Sequence, residues 1–351
     1  MSATTAIAPS RNVASSEPLD RLGRPIHDLR VSLTDRCNLR CTYCMPAEVF
    51  GPGHAFLRDE ELLGLPQLEH IIGAFVRCGV RKLRITGGEP LLRQGVVEFL
   101  GHLRRFEQLT DIAMTTNGLL LPRFARGLAD AGLQRVTVSL DALDPDIFRR
   151  MNGRGRHPDE VLAGIDAAVG AGLAVKVNMV VQRGVNDAQI LPMASHFKER
   201  GIALRFIEFM DVGNSNHWSP ESVLTGAEIL HVLAGRFDFE PVAPAHRGEV
   251  ATRFRHRDDD VEFGVITSIS SPFCRDCTRA RLTANGQLFT CLFAADGFDL
   301  RAAMRDGSID DTALHQLIAG LWRGRSDRYS ELRAIAGNQD QPKVEMSFIG
   351  G

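Results

Sequence analysis

Neither of the two cysteine groups in this 351-residue chain has a fourth member. The seven cysteines are an odd count, and six of them fall into two tight groups of three. That excludes the paired framework that staples small secreted chains. It points to a reducing compartment, and the expected location is the cytoplasm. An excess of charge is also missing: 41 Lys and Arg face 43 Asp and Glu, a net of −2 at pH 7. A chain so balanced has no general nucleic-acid surface, so any anionic ligand has to be met by a local cluster of basic residues. No run of about 18 apolar residues occurs, so no membrane span is expected. The first 24 residues lack the apolar region of a secretory signal, and Arg11 is the only basic residue before Arg21. A disordered tail over residues 1–24 is expected.

What is present suits a large soluble protein, with 44% apolar and 24% charged residues. From 29 to 210, short strand candidates (29–34, 82–86, 111–116, 135–140, 174–181, 203–210) alternate with amphipathic helix candidates near 59–77, 94–106, 121–131, 158–171 and 187–200. Units of this length mean parallel strands joined by right-handed crossovers. Side chains two apart share a strand face. Arg30, Ser32 and Thr34 then oppose Val31 and Leu33, while Lys82, Arg84 and Thr86 oppose Leu83 and Ile85. Arg135, Thr137, Ser139 and Asp141 oppose Val136, Val138 and Leu140, and Lys176 and Asn178 oppose Val175, Val177 and Met179. Ala113, Thr115 and Asn117 oppose Ile112 and Met114, while 204–210 is less clean.

A doubly wound sheet would read as continuous apolar runs, and a closed barrel would fill its lumen with aliphatic residues. The expected fold is therefore α/β: an open, curved barrel of six β-α units around a polar hollow. Past 211 the pattern breaks, with a helix candidate at 225–235, a linker at 241–245 and a hairpin of 250–257 with 261–269. The expected organisation is a core domain over 25–240 and a smaller C-terminal α+β domain over 241–351.

The end of the first strand runs into Cys37-x₃-Cys41-x₂-Cys44. A structural zinc site closes with four protein ligands, whereas a cubane iron–sulfur cluster held by three thiolates keeps one iron open. Completion of a zinc site by His54 or a distant thiol stays an alternative. After the second strand, Gly87-Gly88-Glu89-Pro90 is either a turn or a place where a ligand nears free backbone amides. Thr115-Thr116-Asn117-Gly118 and Ser139-Leu140-Asp141 end the next two strands on the same rim. Cys274-x₂-Cys277-x₁₃-Cys291 repeats the three-thiol arrangement. Arg279 and Arg281, with Arg30, Lys82, Arg84, Lys176 and Arg205, converge on one hollow. Buried cations are costly unless paired, so the set implies a polyanion, most simply a triphosphate. The isolated Cys78 reads as a small buried hydrophobe.

The C-x₃-C-x₂-C spacing followed by G-G-E-P resembles the radical S-adenosylmethionine (SAM) superfamily. With Leu29 to Cys37, the second cysteine group and Gly350-Gly351, residues 25–351 resemble its GTP 3′,8-cyclases, which open molybdenum cofactor biosynthesis. The resemblance implies an incomplete (β/α)₆ TIM-type barrel and two [4Fe–4S] clusters, on Cys37, Cys41 and Cys44 and on Cys274, Cys277 and Cys291. SAM would be met by Tyr43, Gly88, Asn117, Ser139 and Met210. GTP would be met by Arg30, Lys82, Arg84, Thr115, Lys176, Arg205, Arg279 and Arg281. A 5′-deoxyadenosyl radical would take the ribose C3′ hydrogen, Arg30 would also assist the radical quench, and Gly350 and Gly351 would enter the site. A flavodoxin- or ferredoxin-like reductant is implied and a homodimer is left open. A peptide-modifying radical SAM enzyme with an auxiliary cluster, and a non-catalytic metal-binding module, stay as alternatives.

Overall fold

The alternation of polar and apolar residues is realised as a run of parallel strands with one wet and one dry face. The computed structural model describes residues 17–305, 309–336 and 343–350. β1 (Asp28–Ser32), β2 (Lys82–Thr86), β3 (Asp111–Thr116), β4 (Arg135–Ser139), β5 (Ala174–Val181) and β6 (Ala203–Glu208) pair in sequence order, each parallel to the next. The crossovers carry α1 (Leu65–Arg77), α2 (Val96–Leu103), α3 (Leu121–Asp130), α4 (Pro145–Asn152), α5 (Pro158–Gly170) and α6 (Ile190–Glu199). Leu29, Val31, Leu83, Ile85, Val136, Val138, Val177 and Met179 are fully buried in one core with the apolar residues of these helices. The polar residues two apart from one another face the other way, as expected.

β6 is less clean for an identifiable reason. Leu204 and Phe206 join the core, and Glu208, on the same face, is buried with them. Its carboxylate accepts from the amides of Gly226, Ile269 and Ser270, which compensates its burial. Ile207 takes a place on the polar side instead.

Two expected helices are shorter than the pattern suggested. The 59–77 stretch splits into a 3₁₀ turn at Asp59–Glu61 and α1, because Pro66 belongs in a first helical turn and not an interior. The 187–200 stretch likewise opens with a 3₁₀ turn at Asp187–Gln189. α4 was not expected; Asp144 caps it by accepting from the amides of Asp146 and Ile147, with Pro145 in the first turn.

Beyond β6 come α7 (Gly226–Ala234), β7 (Phe239–Val242), β8 (Thr252–His256), β9 (Glu262–Ile266), β10 (Arg279–Leu282), β11 (Gln287–Phe289) and β12 (Phe298–Asp299). The last helices are α8 (Leu300–Met304), α9 (Asp311–Arg323), α10 (Tyr329–Ala336) and α11 (Met346–Ile349). The expected linker 241–245 is corrected in part: Pro241 and Val242 belong to β7, an edge strand where proline's missing N–H costs little. The expected hairpin is β8–β9.

The twelve strands of the described residues form one sheet, ordered β12-β11-β10-β1-β2-β3-β4-β5-β6-β9-β8-β7. β1 and β6, the ends of the six-unit run, are flanked by β10 and β9, both in parallel register. The incomplete (β/α)₆ barrel is thus walled on each side by strands from the C-terminal third. No helix of the described residues is long and apolar enough to cross a membrane.

Of the expected disordered tail, residues 1–16 lie outside the described residues, and 17–24 need a correction. Arg24 and Asp20 pair at 2.6 Å with both side chains 0% exposed, and Arg325 reaches Asp20 at 3.2 Å. Arg24 also donates to the carbonyls of Cys274 and Asp327, at 2.6 and 3.0 Å, and its own carbonyl accepts from Trp322 Nε1. Composition hid this because every partner but Asp20 lies about 250 to 300 positions away. Breaking a buried pair leaves an uncompensated charge. Arg24→Ala is expected to cost about 3 kcal/mol, seen as earlier loss of structure in a urea titration, whereas an exposed control such as Arg21→Ala shifts nothing.

Candidate active site

The 37–44 loop follows β1 and is held in place by its backbone. Arg40 is buried; its Nε donates to the Phe50 carbonyl at 2.6 Å and its Nη1 to the carbonyls of Cys37 and Leu39, at 2.8 and 2.7 Å. On either side of Cys41, the amides of Arg40 and Thr42 donate to the carbonyls of Asn152 and Met151, each at 2.9 Å. Tyr43 donates its hydroxyl to Asp141 at 2.9 Å. Asn117 Nδ2 lies 3.8 Å from the Cys37 sulfur. Burial pushes the Cys37 thiol up to about 11 and raises Cys41 and Cys44 as well. Bound metal would favour the thiolates over these thiols.

Of the two readings of G-G-E-P, the turn is plainly there. The Gly88 amide is committed to the Thr34 carbonyl at 2.7 Å, and the Glu89 amide to that of Arg36 at 2.8 Å. A Cβ on Gly87 would stand 2.5 Å from the Thr34 oxygen, and one on Gly88 would run into the Arg36 carbonyl. Glycine is needed here so that this turn can lie against the backbone leading to Cys37. Glu89 is buried and accepts from Thr116 Oγ1 and from the amides of Leu91 and Asn117. Burial pushes its carboxyl up to about 7.

Cys274 opens a short 3₁₀ turn, Cys277 follows it and Cys291 lies just past β11. Arg24 donates to the Cys274 carbonyl and Arg325 to that of Cys277, at 2.6 and 2.7 Å. Burial opposes ionisation of Cys277, but Arg279 and Arg325 outweigh it and bring the thiol down to about 6. Cys291 has no such balance, and burial pushes it up to about 11. Arg24 and Arg325 were missed in the sequence; only their distant carbonyl partners give them meaning.

All six cysteines line one cavity of about 310 Å³. Tyr43, Gly88, Asn117, Ser139 and Met210 share its walls with the first group. Arg30, Lys82, Arg84, Thr115, Arg205, Arg279 and Arg281 line it too. Lys176 is not among the lining residues; it stands on β5 opposite Thr137 and Ala203. Among the described residues no three His, Cys, Asp or Glu side chains are grouped to hold a single metal ion, as four-coordinate zinc requires. A cubane instead spreads its thiolates over different irons, and two sets of three half-buried cysteines suit that demand.

Strand register explains the cations. Arg281, Arg30 and Arg84 are neighbours across β10, β1 and β2, and Arg279, Asp28 and Lys82 form the adjacent rung. Burial, then the neighbouring arginines, hold Arg30 far below its ordinary value, bring Arg281 down to about 9 and Arg84 to about 10. Among the described residues no carboxylate pairs with Arg30, Arg84, Arg205, Arg279 or Arg281; the nearby Asp111 is taken by Arg135 and Lys82. Arg84 donates only to Thr115 and Thr137 hydroxyls, at 3.2 Å each. Arg279 Nε and Ser32 Oγ are buried without a partner. Asp28 was missed: burial raises its carboxyl, but His27, Lys82 and Thr278 bring it down to about 2.

The described part of the C-terminal segment reaches this cavity, which Met346 helps to line. Arg281 donates to the Gly350 carbonyl, and a Cβ on Gly350 (φ 78°) would stand 2.7 Å from Thr86 Cγ2 and 2.8 Å from Ser32 Oγ. Gly351 lies outside the described residues. Glu345 anchors the segment by accepting from the Asn214 amide and the Ser215 hydroxyl, and Lys343 pairs with Asp211 at 3.0 Å.

Two family models match the chain: the Radical SAM superfamily over residues 31–197 and Molybdenum Cofactor Synthesis C over 202–331. The chain is 50% identical to the GTP 3′,8-cyclase of Acidothermus cellulolyticus, covering 95% of this chain and 98% of that one. It is 48% identical to the GTP 3′,8-cyclase of Staphylococcus haemolyticus, with the same coverage. Among solved structures, Streptococcus suis SuiB bound to S-adenosylmethionine shares the fold, with a TM-score of 0.62 at 16% identity over 93% of this chain and 77% of that one. With half its residues shared with such a relative along nearly its whole length, and with both family models in chain order, this chain belongs to the GTP 3′,8-cyclase family of radical SAM enzymes.

Proposed function

We propose that this chain converts GTP to (8S)-3′,8-cyclo-7,8-dihydroguanosine 5′-triphosphate, the first step of molybdopterin biosynthesis. The observation that carries the reading is one cavity with a trio of cysteines in each of two wall regions and arginines unpaired by carboxylates between them. Cys37, Cys41 and Cys44 would hold one [4Fe–4S] cluster, and Cys274, Cys277 and Cys291 a second. Each would keep one iron for an outside ligand, SAM at the first and the guanine base at the second. With SAM bound, the first cluster would supply the one-electron reductive chemistry by which the ribose C3′ hydrogen is removed.

The chain's own residues do the rest. Tyr43, Gly88, Asn117, Ser139 and Met210 surround SAM. Arg30, Lys82, Arg84, Thr115, Lys176, Arg205, Arg279 and Arg281 neutralise and orient the triphosphate, so that C3′ and C8 of one nucleotide are held for attack. Arg30, on the rung between Arg281 and Arg84, donates a hydrogen bond toward the nucleotide and assists the quench of the product radical. Gly350 and Gly351 reach the reacting region and help to exclude water. The same reading assigns the SAM chemistry to residues 25–240 and the second cluster to 241–351. A peptide substrate would have no use for so many inward cations.

Anaerobic incubation with reductant, SAM and GTP, followed by product identification, tests the reading; 5′-deoxyadenosine without a cyclised nucleotide would overturn it. Iron analysis should find about eight irons per chain and no zinc. Arg279→Ala or Arg281→Ala should weaken GTP binding about 10- to 100-fold while reductive SAM cleavage continues. Deleting Gly350 and Gly351 should leave the iron content intact and abolish cyclisation. Burial, then Arg205 and Arg135, push Lys176 down to about 8. Lys176 shares the polar strand face although it stands outside the cavity lining, so a triphosphate whose far end reaches it would favour the ammonium form, and GTP binding near pH 8 should then take up protons. Calorimetry in buffers of different ionisation enthalpy reads this uptake, and Lys176→Met should shrink it.

A further inference from the structure

The electron that starts this chemistry comes from outside the chain, and among the segments that flank the 37–44 loop two differ sharply in charge. Residues 45–58 form one, with exposed Glu48 paired to His217 at 3.2 Å and no basic residue but His54 before Arg58. The other is the end of α4 with the turn after it, and it is very different. Arg149, Arg150, Arg154 and Arg156 are all exposed there, four guanidinium groups within eight residues of a chain whose net charge is −2.

This turn is fixed rigidly against the first cysteine group. Its carbonyls at Met151 and Asn152 accept the amides on either side of Cys41, each at 2.9 Å. Asn152 is 1% exposed and shapes the turn from inside. Its Nδ2 donates to the carbonyls of Phe148 and Arg156, at 2.7 and 3.0 Å, and its Oδ1 accepts the amides of Arg154 and Arg156, at 2.9 and 3.2 Å. Gly153 has φ 58° and lies against the Arg40 carbonyl, where a Cβ would collide. Arg149 and Arg156 pair along their helices with Asp146 and Glu160, at 3.1 and 2.9 Å. Among the described residues Arg150 and Arg154 have no acidic partner within ion-pair distance, so two of the four guanidinium groups are left for an outside carboxylate.

We propose that this arginine turn is the docking surface for a small acidic electron-carrier protein with a one-electron redox group. The proposal rests on the reading above, because the surface is placed to serve a cluster on Cys37, Cys41 and Cys44. Electron tunnelling decays steeply with distance, and the turn is bonded to the residues on both sides of Cys41. Electron-transfer encounters bury little area, so complementary charge sets their rate more than packing does. Arginine suits such a contact because it is weakly hydrated and pairs with carboxylates through two parallel hydrogen bonds. In the step itself the carrier loses one electron and the cluster gains it; no bond in either protein forms or breaks.

The test uses the full chain with its clusters loaded, comparing wild type with the double variants Arg150→Ser/Arg154→Ser and Arg150→Lys/Arg154→Lys. SAM cleavage is driven either by dithionite or by a reduced acidic flavodoxin. In the serine variant the dithionite rate should stay unchanged, while the flavodoxin rate at low ionic strength should fall about tenfold or more and lose much of its salt dependence. The lysine variant should keep most of the flavodoxin rate. An unchanged flavodoxin rate in the serine variant overturns the proposal, and so does an equal fall with both reductants, which would mean that the turn only supports the loop. Failure of the proposed function is separate: it appears as SAM cleavage by dithionite with no cyclised nucleotide in wild type.

Discussion

Three guanidinium groups on one rung of a sheet set the terms for this molecule. Arg281, Arg30 and Arg84 come from three adjacent strands in direct register, and like charges directly opposite one another destabilise a sheet. Burial, then the charges of Arg281 and Arg84, hold Arg30 far below its ordinary value. The side chains have no escape, because the residues between them on each strand are locked into the core: Leu29, Val31, Leu83 and Ile85 are fully buried. The core therefore forces the cations into the hollow, and only a multiply charged anion relieves them at once. The carboxylates that could have done so are kept one rung away or committed elsewhere, Asp28 beside Lys82 and Thr278 and Asp111 to Arg135.

Both cysteine groups are mounted by the same device. A buried arginine donates to the main-chain carbonyl of a cysteine in each case: Arg40 to Cys37, Arg24 to Cys274 and Arg325 to Cys277. Irregular backbone has carbonyls that a helix or sheet would otherwise satisfy, and the guanidinium fork satisfies them while adding positive charge beside the thiols. The thiols are not equivalent. Cys277 is drawn toward the thiolate by Arg279 and Arg325, whereas Cys37 and Cys291 are pushed up by burial.

Much of this was legible because a β-strand has an exact period of two. The apolar face and the inward cations followed from counting alternate residues, and the six strands lie where that pattern put them. β6 blurred the count because Glu208 is buried by three backbone amides that no local pattern announces. α4 escaped because its first turn, Asp144-Pro145, reads equally as a loop, and its arginines dilute the apolar stripe. Alternation fixes only which face Lys176 shares, not that it stands outside the cavity lining. The glycines of G-G-E-P stayed open in the sequence between a turn and a ligand-facing backbone, because their close passage over Thr34 and Arg36 is set by the backbone after β1, about 50 positions earlier. Residues 17–24 were illegible for a simpler reason: Arg24 acquires its meaning from Cys274, Trp322 and Asp327.

The strand order also fixes a timetable. Asp28 on β1 meets Thr278 across 250 positions of sequence, and β10 is the strand that covers the open side of β1. On a ribosome the N-terminal part emerges and compacts first. For most of synthesis, then, β1 is an unpaired edge, and the loop of Cys37, Cys41 and Cys44 stands beside a half-built wall. When β10 arrives it seals that edge and completes the arginine rung in one stroke, so closing the wall and gathering the cations are a single event.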